Sequence, residues 1–146
     1  MDIYTLSYHS RNRIEDITSD AASELTKLLE VARARNSAAG VTGALLFNEG
    51  RFTQVLEGRE ASVKEIFHSI KRDPRHAEVT LLSTQTSLAR RFESWSMAFV
   101  GASPAAQAYY KDFVRMPDFD WKKVEQDKLC RVMLDMISVD QRRYAG

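Results

Sequence analysis

Gln54 stands in the stretch GRFTQVLEGRE, where strand-like alternation puts its primary amide on the same face as Phe52 and Leu56. An amide buried without partners costs about 1–3 kcal/mol, so either the fold bonds it or something in the core requires it. Other residues pose the same question. Tyr8 shares an alternating face with Tyr4 and Leu6, and Asn36 falls one step of four beyond the helical stripe Leu25, Leu28, Leu29, Ala32. Trp95 and Met97 share a face with Phe99. Phenol and amide groups do not titrate near neutrality, and they suit a planar, polar-edged ligand in an apolar slot. They suit equally well a set of core polar groups that satisfy one another, and the pattern leaves both readings open.

Other chemistry is poorly provided for. His9, His68 and His76 lack ligand spacing, so no metal site is expected. Cys130 lies on an amphipathic stretch, where packing explains it better than nucleophilicity. No nucleophile elbow, P-loop or dinucleotide fingerprint occurs. Gly40 and Gly43 form only a G-x-x-G spacing, which a turn explains.

The elements that must position these side chains follow from periodicity. A strand is expected over residues 3–8, a polar connection over 10–20 and a helix over 21–36. An almost wholly apolar strand over 41–47 leads through Asn48-Glu49-Gly50 into a return strand over 51–57. A second helix over 60–72 buries Val63, Ile66, Phe67 and Ile70 and stops at Asp73-Pro74. Strands are expected over 79–84 and 94–100. This order predicts an α+β fold: a ferredoxin-like βαββαβ sheet with an extra strand and two helices on one face. Ser103-Pro104 opens another helix, a loop passes through Met116-Pro117-Asp118, and a last helix carries Leu129, Val132, Met133, Met136 and Ile137. This C-terminal pair is expected on the other face of the sheet or on a partner.

The chain has 146 residues, 44% hydrophobic and 28% charged, with 21 basic against 20 acidic side chains. It is long enough for one packed domain, and its charge balance gives no footprint for nucleic acid or an anionic membrane. One cysteine forbids an internal disulfide. No apolar run approaches the roughly 20 residues of a membrane span, and the start MDIYTLSYHS reads as a strand rather than a signal peptide. A cytoplasmic setting is expected.

Five motifs, in order and on the expected elements, make the chain resemble a BLUF domain, the blue-light sensor module that uses FAD. They are LSYHS with Tyr8, NSAAGVTG from Asn36, FTQVLEG with Gln54, DPRH from Asp73 to His76, and RFESWSM from Arg91 to Met97. The resemblance runs from Ile3 to Phe99. It implies a flavin-binding unit over 1–101 and a two-helix extension over 102–146. It implies non-covalent FAD, with FMN as the alternative, its ring between the two helices. Leu28 and Ile70 then sandwich the ring, Asn36 bonds its pyrimidine edge, and Arg75 and His76 border it. Tyr8 corresponds to the electron and proton donor and Gln54 to the switching amide. Trp95 and Met97 correspond to the pair competing for the space beside it.

The same resemblance implies the short class: a photoreceptor without a catalytic output domain, signalling to a downstream protein as a homo-oligomer. Arg35 stands before Asn36 where some relatives have other residues, so its contact is open. Two other classes stand beside this one. A hydrolase of acylphosphatase type needs an arginine-bearing anion loop after the first strand, which Ser10-Arg11-Asn12-Arg13 matches faintly. A cofactor-free dimerisation module needs no site. The colour of the purified protein separates all three.

Overall fold

The computed structural model describes residues 2–14, 19–48, 51–100, 104–115, 123 and 125–145. The elements are β1 (Ile3–Asn12), α1 (Ala21–Ala39), β2 (Thr42–Asn48), β3 (Arg51–Gly58), α2 (Glu60–Lys71), β4 (His76–Ser87), β5 (Ala98–Val100), α3 (Pro104–Val114) and α4 (Gln126–Ala145). They form one five-stranded sheet in the order β4-β1-β3-β2-β5. The first four strands pair antiparallel, and β5 adds to the free edge of β2 in parallel. The ferredoxin-like arrangement with one extra strand is thus the observed fold. The expected turn at 48–50, the Ser103 cap and the loop at 116–118 fall wholly or partly outside the described residues.

Alternation along the strands sends side chains into two cores. On one face Leu6, Tyr8, Leu45, Phe52 and Leu56 meet Leu28 and Leu29 of α1 and Val63, Ile66, Phe67 and Ile70 of α2. Each fully buried aliphatic or aromatic side chain of this kind contributes about 1.5–3 kcal/mol. On the other face Ala44, Leu46, Val55, Ala98 and Val100 meet Ala106, Tyr110 and Phe113 of α3 and Leu129, Met133 and Met136 of α4. The C-terminal helices therefore cover the second face of the sheet. Gln126, at the start of α4, is pinned there by the Ser7 hydroxyl, which donates to its Oε1 at 2.9 Å.

Several boundaries differ from expectation. β1 runs through Asn12, because Ser10 and Arg11 still pair with Phe52 and Arg51 of β3. α1 continues past Asn36 to Ala39 and ends at Gly40, whose φ of 69° closes the helix and whose N–H reaches the Asn36 carbonyl. α2 ends one residue early, with Arg72 as its cap. β4 extends to residues 76–87 at the sheet edge, with register shifts opposite Ser7/Tyr8 and His9/Arg11. The largest correction concerns the strand expected over 94–100, of which only Ala98–Val100 is strand. Upstream, the backbone groups have other partners: Trp95 N–H bonds the Phe92 carbonyl, and the Ser96 and Met97 carbonyls accept from Asn36 and Arg33. Without a ladder there is no alternation. Trp95 and Met97 do not share a face: Met97 lies in the core under α1 and α2, while Trp95 packs against the core under α3 and α4.

Gly43 is not a turn residue. A Cβ there would stand 2.0 Å from the Val55 carbonyl oxygen of β3, so only glycine lets β2 approach this closely.

Candidate functional site

Tyr8 and Gln54 are direct partners across the β1–β3 ladder and point into the same core. Both side chains are buried, Tyr8 completely. The Tyr8 hydroxyl donates a hydrogen bond to Gln54 Oε1. The other end of the amide donates through Nε2 to the Met97 sulfur at 3.3 Å. A primary-amide nitrogen carries two hydrogens, and the thioether takes one. Burial pushes the Tyr8 phenol far up, beyond the small opposing pull of Arg35, so it stays protonated.

Above this pair a cleft opens between α1 and α2. Leu28 and Ile70 form facing walls, Leu45 and Gln54 the floor, and Arg35, Asp73, Arg75 and His76 the polar rim. Five of the residues singled out in the sequence, Leu28, Gln54, Ile70, Arg75 and His76, thus meet in one place. The cleft holds about 30 Å³, against about 300 Å³ or more for a typical small-molecule pocket. Entry of a ring system requires the rim side chains and helix faces to give way. A wider groove of about 330 Å³ lies beyond Met97, between residues 94–99, Arg33 and Ile137. It lacks the convergence of the Gln54 amide and the His76 imidazole that the smaller cleft has, where Tyr8 lies behind Gln54.

The rim is electrostatically ordered. Arg75 clamps Asp73 through Nε and Nη2 at 2.7–3.2 Å and reaches Glu24 at 3.3 Å. Burial alone would raise the Asp73 carboxyl, but the hydrogen bonds and charge of Arg75 hold it below the usual range. His76 is buried among Tyr8 and Phe52, with Nδ1 2.7 Å from Ser10 Oγ. Burial lowers its pKa to about 4, with Arg75 and Arg35 adding to the effect and Asp73 opposing it, so the imidazole is neutral at neutral pH.

Asn36 is fully buried beside the cleft, inside the last turn of α1. Its Nδ2 donates to the Ser96 carbonyl at 2.8 Å, and its Oδ1 accepts from Arg35 Nε at 3.4 Å. Met97, not Trp95, stands beside Gln54. Sequence reasoning missed Ser10, the partner of His76, and Asp73 as the clamp of Arg75. Asp73 carries a local signal, since its carboxylate also accepts from the Arg75 backbone N–H two residues on. The Ser10–His76 contact joins β1 to β4 across 66 residues and has none. Among the described residues no group of His, Cys, Asp and Glu could hold a metal ion, and no helix is long and apolar enough to cross a membrane.

Residues 3–98 match the family described as BLUF, sensors of blue-light using FAD. The blue light- and temperature-regulated antirepressor BluF of Escherichia coli (strain K12) is 39% identical over 88 residues, which are 60% of this chain and 21% of that protein. The chain thus spans about a fifth of the length of that curated relative. Two solved structures superpose over nearly the whole length of both chains. BlrB, a BLUF protein in its dark state, gives a TM-score of 0.76 at 30% identity, covering 92% of this chain and 96% of that one. BlsA in its photo-activated state gives 0.77 at 25% identity, covering 94% and 95%.

Proposed function

The chain belongs to the BLUF family of blue-light sensors that use FAD, and we propose that its response is written by Tyr8 and Gln54 and read out through Met97. The observation that carries this reading is the hydrogen bond from the Tyr8 hydroxyl to Gln54 Oε1 at the floor of the cleft. The donor set fits a flavin: apolar walls from Leu28 and Ile70, and an amide and cations at the edges from Gln54, Arg35 and Arg75, with neutral His76 bordering them and Asn36 next to them through Arg35. Bound flavin supplies the absorption of blue light and, once excited, a strong electron acceptor.

Tyr8 is the group in reach that can give up an electron and then its hydroxyl proton, and Gln54 Oε1 is the acceptor to which that proton points. When the electron and the proton have both returned to Tyr8, the amide can settle in the reversed orientation, because its two ends have nearly the same shape. Nε2 then donates to the Tyr8 oxygen, and Oε1 faces the Met97 sulfur, which has no hydrogen to give. The reversed amide therefore loses its bond to Met97, and the segment that carries Met97 is released from the cleft. Trp95, two residues upstream, packs against the core under α3 and α4, which offers a route from the cleft to the helices.

On this reading residues 1–101 are the flavin-binding unit and 102–146 the extension that passes the change on. The resident cofactor is FAD rather than FMN. The chain performs no chemistry on a substrate, works in the cytoplasm as a homo-oligomer, and acts by changing its contact with a downstream signalling protein. The test is the absorption spectrum of the purified yellow protein before and after blue light. A red shift that reverses in the dark is expected. Irreversible bleaching, or an unchanged spectrum, rejects the reading. Chromatography of the released cofactor separates FAD from FMN.

A further inference from the structure

Glu57 is a carboxylate in an unusual place. It sits on β3 three residues after Gln54 and therefore on the opposite face, 1% exposed. Burying a carboxylate is costly unless it is well bonded. Here it accepts from the Thr42 hydroxyl at 2.9 Å, from the Arg91 N–H at 2.9 Å and from the Phe92 N–H at 2.6 Å. Arg90 closes the arrangement from outside, donating to the Glu57 and Gly40 carbonyls and to Thr42 Oγ1 at 2.8–3.2 Å. Two of the three bonds to the carboxylate thus hold the backbone where the irregular segment 91–97 begins.

From that point the segment is fastened link by link. Trp95 N–H bonds the Phe92 carbonyl, and the Trp95 carbonyl accepts from Gly43 at 3.1 Å. The Ser96 and Met97 carbonyls are taken by Asn36 and Arg33. The Met97 side chain ends on Gln54. The segment is a strap that leaves one face of β3 at Glu57, passes the start of β2 and returns to the other face at Gln54. One end is anchored by a carboxylate, the other by the Gln54 amide.

We propose that Glu57 is a positioning residue for the light response: its carboxylate anchors the strap so that Met97 is returned to Gln54 in the dark. This rests on the switching role of Gln54. With the anchor intact, a strap displaced at Met97 is under one well-defined restoring constraint. With the anchor loosened, displaced arrangements cost less, and the lit state lasts longer.

The test uses the flavin-loaded protein and Glu57→Gln, which keeps one acceptor oxygen but turns an NH2 toward an N–H. Amide hydrogen exchange by NMR in the dark reads the anchor directly. Exchange at Arg91 or Phe92 is expected to quicken by about tenfold or more, and the thermal dark recovery to slow by about threefold or more. Thr42→Val is the control for plain destabilisation. It removes a bond to the same carboxylate but leaves both strap amides held, so it should lower the melting temperature with recovery unchanged. Should Glu57→Gln fail to fold, Arg90→Met, which releases the residue directly before the two strap amides from the Gly40 and Glu57 carbonyls, is expected to slow recovery in the same direction. Unchanged exchange, an unchanged or faster recovery, or slowing in Thr42→Val in proportion to lost stability overturns the proposal. A wild-type protein without a light-induced shift instead rejects the sensor reading, while the exchange measurement still decides whether Glu57 anchors the strap.

Discussion

Tyr8 and Gln54 are register partners on adjacent antiparallel strands, and the phenol of one is hydrogen-bonded to the amide oxygen of the other inside a core closed to water. Neither residue can change its hydrogen bonding without the other. That mutual dependence makes each of them a distinct test.

Tyr8→Phe keeps the ring and its packing against Phe67, whose centroid lies 5.4 Å away, but removes the proton and the ready electron. The variant should keep its flavin, fluoresce more strongly and form no stable red-shifted state under continuous blue light. Gln54 Oε1 loses its donor, so stability should fall by about 1–3 kcal/mol in urea titration. A wild-type difference spectrum with Phe at position 8 excludes a photocycle through this tyrosine.

Gln54→Leu replaces the amide with a side chain of similar size. Flavin binding should survive and the reversible shift vanish, because nothing remains to reorient. The measurement is the steady-state light-minus-dark spectrum. A shift of normal size removes Gln54 from the switch.

Asn36→Ala deletes the bond to the Ser96 carbonyl and the oxygen that Arg35 Nε contacts. The loss of one bond at the ring edge should weaken flavin binding by about tenfold, the equivalent of about 1.4 kcal/mol. Dissociation constants from flavin titration of the apoprotein check this, and equal values for variant and wild type place Asn36 outside the cofactor site.

His76 makes stability depend on pH. Its folded-state pKa is lowered to about 4 from 6.5, chiefly by burial. Below 6.5 the unfolded chain takes up a proton that the folded chain resists, so stability is full above 6.5 and falls as the pH drops toward 4. The loss is on the order of 3 kcal/mol for a shift of this size. Asp73, held below its ordinary 3.8 by Arg75, acts in the same direction but at lower pH. Urea titrations across the window should show the slope in the wild type and a flatter one in His76→Gln. Equal slopes would falsify the assignment.

Much of this was legible in the sequence. An almost wholly apolar run identified β2 and alternation identified β3, although both strands are buried on two faces, and the period of 3.6 identified α1 and α2, which each bury one continuous face. The apolar stripes of the two helices are the cleft walls. Tyr8 and Gln54 stood out as polar groups on apolar faces, which is what their position in the structure is. The segment before β5 misled. S-W-S-M-A-F-V alternates like a strand, but the carbonyls at its centre are captured by Arg33 and Asn36, about sixty residues away in the chain. No local pattern encodes that capture. Glu57 was equally silent, since a glutamate near the end of a strand reads as a solvated charge until the Arg91 and Phe92 amides fold over it.

The sheet separating the two cores is one residue thick. Gln54 and Val55 are consecutive, yet one belongs to the cleft and the other to the seat of the C-terminal helices. The two halves of the molecule are in this sense separately exchangeable. A designer grafting another output element in place of α3 and α4 would need to match the mating surface of Ala44, Leu46, Val55, Phe92, Ala98 and Val100 and the Ser7 hydroxyl that holds Gln126. Every residue lining the cleft could stay untouched. The one part that cannot be assigned to either side is the strap, which therefore has to travel with the receptor in any chimera.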